Sequence, residues 1–100
     1  MLKVFRTKQA QLDLIEIWIY IAEDNTVAAD NFLFKLEAEV NLIASSPKIG
    51  RSRNELAKNL RSFPVGNYTI FYKQQVNALV LIRVIHSARD INNLSNLKIQ

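Results

Sequence analysis

Nine residues near the C-terminus, ALVLIRVIH at positions 78 to 86, restrict the fold more than any other stretch of this chain. Seven of the nine are apolar. Strand periodicity puts Ala78, Val80, Ile82, Val84 and His86 on one side, and Leu79, Leu81, Arg83 and Ile85 on the other. A strand that is apolar on both faces needs cover from both sides, so it belongs at the centre of a sheet. The remaining sequence must supply flanking strands and at least one covering layer.

The candidates are legible upstream. LKVF, residues 2 to 5, reads as a short strand, and Thr7 can cap the helix after it, because a hydroxyl there accepts a free first-turn N–H. In LDLIEIWIYIAED the apolar residues alternate at first, but the phase slips between Leu14 and Ile15, while Asp13, Glu16, Tyr20 and Glu23 recur at helical spacing. The expectation is a helix burying Leu14, Ile15, Trp18, Ile21 and Ala22, with Leu12, Ile17 and Ile19 on its flanks. Those flanks are apolar enough to suit a partner surface.

A second helix is clearer: Ala29, Phe32, Leu33, Leu36, Val40 and Ile43 form one stripe, Asn25 or Thr26 caps it, and Pro47 lies past its end. Only the polar EDNT separates the two helices, so they should pack as an antiparallel hairpin. SPKIGRSRNELAKN reads as a long basic loop with a helical turn near NELAK. The strands LRSFPV and YTIFYK are joined by Gly66-Asn67, where glycine supplies a positive φ, and a looser turn at QQVN leads into the last strand. Pro64 cannot donate to a ladder, so an edge or bulge is expected there. The fold class is therefore α+β: an N-terminal strand, a helical hairpin, and a three-stranded antiparallel meander forming a small sheet with helices on one face. One domain over residues 1–100 is expected, with 91–100 a short or frayed tail. The helices can cover only one face, so part of the other is left for the tail or another chain.

Composition excludes several chemistries. There is no cysteine, so thiolate metal sites, disulfides and thiol nucleophiles are out, and a single histidine makes a poor metal centre. No stretch is apolar enough to cross a membrane, and the N-terminus lacks an apolar signal core, so a soluble cytoplasmic protein without cofactor or metal is expected. The net charge of +4 is unevenly divided: residues 1 to 47 carry four basic and seven acidic side chains, and residues 48 to 100 carry nine and two. A basic second half suits nucleic acid or an acidic protein, and charge alone does not separate them.

The central strand runs into LIRVIHSARD, where the only histidine meets Arg83, Arg89 and Asp90. Histidine changes charge near neutral pH, so phosphodiester cleavage is one reading, with Arg61, Arg83 and Arg89 for charge and Tyr68, Tyr72 or Lys73 for proton transfer. The preferred reading is structural: His86 bonds backbone at the strand end, and Asp90 caps a turn and pairs with Arg83, Arg89 or Arg61. No catalytic residue is assigned; Arg61, Arg83, His86, Arg89 and Asp90 form a candidate polar cluster.

The P-x-x-G-R of Pro47 to Arg51, the run NELAKNLRSFPVGNYTIFYK and the closing IRVIHSARD, in this order after a strand and a helical hairpin, resemble the ParE branch of the ParE/RelE toxin superfamily. The resemblance spans about Leu2 to Asp90. It implies a toxin of a type II toxin–antitoxin pair, neutralised by a ParD-like antitoxin whose C-terminal segment wraps it, alone or in homo-oligomers or toxin–antitoxin hetero-oligomers. Leu12, Ile17, Ile19 and Tyr20 are then the candidate antitoxin or dimer contact. The resemblance also implies action on DNA gyrase by trapping the cleaved-DNA complex, without chemistry of its own. The RelE branch shares the fold but cleaves messenger RNA on the ribosome, often with a C-terminal tyrosine. Here Ser87 comes after His86 and Asn92 after Ile91, which favours the ParE branch. A non-toxic binding module of the same fold is the third alternative.

Overall fold

The computed structural model describes residues 1–89. Its elements are β1 (Lys3–Arg6), α1 (Lys8–Ala22), α2 (Thr26–Ser45), β2 (Arg51–Ser52), β3 (Leu60–Val65), β4 (Tyr68–Gln75) and β5 (Ala78–His86), with short 3-10 turns at Pro47–Ile49 and Ser87–Arg89. The strands form one mixed sheet in the order β1-β5-β4-β3-β2, with β1 parallel to β5 and the other pairs antiparallel. The α+β expectation holds, and β5 has neighbours on both sides. The sheet gains a strand where the sequence reads as loop: β2 is only two residues long and pairs with Arg61 and Ser62.

Two apolar clusters sandwich the sheet. On the helix side, Ala10 and Ile17 of α1 and Leu36, Val40 and Ile43 of α2 pack against Val65, Ile70, Tyr72, Leu79, Leu81 and Val84. On the other side Leu60, Phe71, Ile82 and Ile85 gather beneath Leu56 and Ala57 of the 53–59 loop. The face expected to await a tail or partner thus has partial cover from a loop. Arg53 adds to it: its guanidinium lies 5.8 Å from the Phe71 ring, a cation–π contact, and bonds Glu55 and Ser62. That bond from Arg53 is the main reason the Glu55 carboxyl titrates below its ordinary value.

The strict alternation expected along β5 fails at a bulge. Phe71 lies opposite Arg83 but Tyr72 lies opposite Leu81, so Ile82 is an extra residue on β5 and the side-chain phase slips by one. Leu79, Leu81 and Val84 consequently share the helix face, while Val80, Ile82 and Ile85 share the other. Pro64 sits where β3 extends past β2, so its missing N–H interrupts no ladder, and the bulge lies on β5 instead. Both hairpins are tight. Gly66 has φ +58° in the first, and Asn77, at φ 58°, makes the QQVN connection a two-residue turn rather than a loose one.

Helix α1 is rotated from its expected setting. Ala10, Asp13 and Ile17 face inward, and Ile15 is 56% exposed. Thr7 explains part of this anchoring. Its hydroxyl accepts from Ala10 N (3.0 Å) and donates to Ile82 O (2.9 Å), fixing the helix start to the bulge of β5. Thr7→Ala is expected to lower stability by about 1 to 2 kcal/mol through loss of the cap and the strand tie, read as a shift in urea midpoint at unchanged slope. Helix α2 buries Ala29, Leu36, Val40 and Ile43 as its spacing predicts, and Asn25 is its cap, accepting from Ala28 N.

Candidate functional site

The far end of β5 leaves its β1 neighbour behind: β1 pairs only with Ala78 to Leu81. Backbone donors beyond that point need other partners, because a buried unpaired N–H costs about as much as a lost hydrogen bond. Asp13 supplies one. Its Oδ2 accepts from Val84 N (3.0 Å) and from Arg83 Nε (2.8 Å), and its Oδ1 accepts from Arg83 Nη2 (3.1 Å) and Gln9 Nε2 (3.2 Å). The carboxylate is 5% exposed, so this two-pronged pair is a buried one. Arg83, one of three arginines the sequence offers as a partner for Asp90, bonds a helix residue seventy positions earlier.

Just beyond, His86 closes the strand. Its Nδ1 accepts the Ala88 N–H (3.1 Å), so that nitrogen carries no proton in this arrangement. Its ring stands edge-on to Tyr68, with centroids 5.1 Å apart, and Tyr68 packs in turn on Phe32 of α2. Ser87 ties the same end to the β3–β4 turn through Asn67 O (2.8 Å) and to β4 through Thr69 Oγ1 (2.8 Å). His86 therefore shares its surroundings with Tyr68 and Val84, on the helix side; the bulge separates it from Val80 and Ile82. A cavity of about 400 Å³ opens here, lined by Asp13, Glu16, Tyr20, Arg83 and His86 among others.

The expected cluster is thus only partly assembled. Arg83 and His86 line one cavity, and Arg89 ends the 3-10 turn after the strand. Arg61 lies at the opposite end of β3, where its Nη1 donates to Gly50 O (2.7 Å). Asp90 lies outside the described residues.

Arg61 belongs to a second knot that sequence reasoning missed. Tyr72 is fully buried; its hydroxyl donates to Pro47 O (2.7 Å) and accepts from Gly50 N (2.9 Å), latching the turn between them. The ring lies so close that a Cβ on Gly50 would meet its Cε1 at 2.7 Å and its Cζ at 2.8 Å, which explains the glycine of the P-x-x-G motif. Burial pushes the Tyr72 hydroxyl above its ordinary tyrosine value, and the Gly50 hydrogen bond and Arg61 only partly oppose it. Among the described residues no group of three or more acidic or histidine side chains is arranged to hold a metal ion.

Of the four hairpin residues expected at a partner surface, three are exposed: Leu12 (43%), Ile19 (50%) and Tyr20 (69%). Ile17 is 5% exposed and belongs to the core, a correction that comes from the rotation of α1. Ile15 takes its place, completing an exposed Leu12, Ile15, Ile19 seam at i, i+3, i+7. No helix among the described residues is long and apolar enough to cross a membrane.

Comparison with known proteins agrees with this architecture. The family model described as the ParE toxin of type II toxin–antitoxin systems matches residues 4–91. Toxin ParE1 of Mycobacterium tuberculosis is 29% identical over 85 residues, spanning 83% of this chain and 87% of its own length. Toxin ParE3 of Caulobacter vibrioides is 28% identical over 84 residues, with 83% and 84% covered. Among solved structures, a chain of the chromosomal ParDE system from P. aeruginosa superposes with a TM-score of 0.72 at 15% identity, covering 86% of this chain and 96% of that one. A chain of the toxin–antitoxin complex RelBE2 from Mycobacterium tuberculosis gives 0.57 at 26% identity, with 85% and 96% covered.

Proposed function

Because the chain belongs to the ParE toxin family of type II toxin–antitoxin systems, we propose that it inhibits DNA gyrase by binding and trapping the cleaved-DNA complex, and that a ParD-like antitoxin neutralises it. The observation that carries the binding reading is that its buried proton-transfer groups are taken up by the fold. Asp13 is held by Arg83 and Val84, and the Tyr72 hydroxyl bridges Pro47 and Gly50, while His86, with Nδ1 on a backbone N–H, keeps only its Nε2 for exchange. Acid–base catalysis needs such groups within reach of substrate and free to exchange protons. The Leu12, Ile15, Ile19 seam with Tyr20 supports an antitoxin that lays an amphipathic segment along α1. Action on gyrase would set the protein in the cytoplasm.

The RelBE2 likeness keeps ribosome-dependent messenger RNA cleavage as the second reading. One paired assay separates them: supercoiling by gyrase with detection of cleaved DNA, and messenger RNA cleavage on translating ribosomes. Trapped DNA breaks, retained in His86→Ala, are expected; ribosome-dependent cuts lost in His86→Ala would replace the first reading by the second, and silence in both assays would leave a binding module. Ile15→Glu with Ile19→Glu is expected to weaken antitoxin binding tenfold or more, about 1.4 kcal/mol, because it sets charges in the centre of an apolar contact. Unchanged affinity in titration calorimetry would move the antitoxin elsewhere.

A further inference from the structure

The cations between Lys48 and Arg83 divide into two groups. Arg83 and Arg53 are internal, one bonded to Asp13 and the other to Glu55 and Ser62. Lys48, Arg51, Lys58, Arg61 and Lys73 form no salt bridge among the described residues, and all five lie toward the β2–β3 edge of the sheet. The one carboxylate of the adjoining loop, Glu55, is bonded by Arg53 and also feels the charge of Arg51. Lys48 and Arg61 line one shallow cavity of about 190 Å³ together with Ser52, Asn54, Asn59 and Gln74. Arg51 neighbours Ser52 on β2, Lys58 precedes Asn59, and Lys73 lies opposite Leu60 in register. No carboxylate lines this cavity, and Leu60 is its one apolar contributor. The acidic side chains of the first half are carried by α1, α2 and the turn between them.

We propose that this edge is a contact surface for the phosphate backbone of duplex DNA. Lysine and arginine around hydroxyl and amide groups is the donor set that phosphate oxygens take, and it carries register rather than sequence information. An acidic protein partner would want an apolar anchor at the centre of the patch. The exposed apolar residue here, Ile49, lines the neighbouring cavity with Arg51 rather than the one shared by Lys48 and Arg61, and the exposed apolar seam lies on α1. Single-stranded RNA would want an exposed ring for stacking; Phe71 and Tyr72 are buried, and Phe63 of β3 is half-buried against the core. Gyrase need not be the target for this contact to form, since it involves the protein and DNA alone.

The test is fluorescence anisotropy of the purified protein with a random duplex of about 20 base pairs, titrated from roughly 50 to 200 mM salt. Engagement of four of the cations predicts a log–log salt slope of about −3 to −4. Lys48→Gln/Arg51→Gln/Lys58→Gln should weaken binding at least tenfold at the low-salt end and flatten the slope by about 2 to 3. Lys3→Gln/Lys8→Gln/Lys35→Gln removes the same charge elsewhere and should change affinity by less than threefold, about 0.6 kcal/mol. Circular dichroism checks that both variants fold. Equal losses in the two variants, a flat slope, or tighter patch-dependent binding to single-stranded RNA or to polyglutamate would each overturn the proposal.

Discussion

Asp13→Ala is expected to lower stability by about 3 to 5 kcal/mol, because it strands a buried guanidinium and leaves the Val84 N–H without an acceptor. For a chain of this size that corresponds to a fall in melting temperature of roughly 12 °C or more. The cause can be separated from simple loss of packing. Asp13→Leu combined with Arg83→Met replaces the pair with apolar side chains of similar size, so about half of the loss should be recovered. What remains, about 1 to 3 kcal/mol, belongs to the unpaired Val84 N–H. If Asp13→Ala unfolds within 0.5 kcal/mol of the parent in urea, the pair is not what fastens α1 to β5.

Tyr72→Phe is the second large effect, at about 2 to 4 kcal/mol. The substitution keeps the ring and removes only the hydroxyl, so Gly50 N–H and Pro47 C=O lose their partner within a buried turn. Gly50→Ala attacks the same latch from the other side, by forcing a methyl group into the ring, and should destabilise by about 1 to 3 kcal/mol. The latch also has a pH signature. Tyr72 titrates above its ordinary value in the fold, so the folded state holds the phenol proton more tightly than the unfolded chain does. The resulting stabilisation is complete below the unfolded tyrosine value, about 10, and is lost as pH rises through the higher folded value. Alkaline denaturation should therefore be steeper in the parent than in Tyr72→Phe. Parallel curves would mean that the hydroxyl is not held as described.

Much of the fold is written locally. The stripe of α2, a cap at Asn25 or Thr26, the Gly66 turn and an interior place for β5 each come from spacing or from one residue's conformational preference. The structure has all four, with Asn25 as the cap and β5 second in the sheet, beside β4 at its middle. The misses share a different origin. Asp13 sits at i, i+3, i+7 with Ala10 and Ile17, a carboxylate inside an otherwise apolar stripe, and that was the available signal. It reads as part of a polar face until Arg83 and Val84 are seen to meet it from across the chain. With Asp13 inward, Ile17 is buried and Ile15 is not. Strand β2 has two residues and no periodicity to detect, and nothing in ALVLIRVIH marks Ile82 as the bulged position. The Tyr72 latch joins two stretches more than twenty residues apart, so its only local trace is the glycine of P-x-x-G.

The free margin of β5 beyond Leu81 has a further consequence. A row of vacant backbone groups there would be a template for an invading strand, the usual start of edge-to-edge aggregation. Thr7 occupies Ile82 O and Asp13 occupies Val84 N, so the start of α1 acts as a lid along that margin. Variants that release this lid should precipitate on warming sooner than their loss of stability alone would predict.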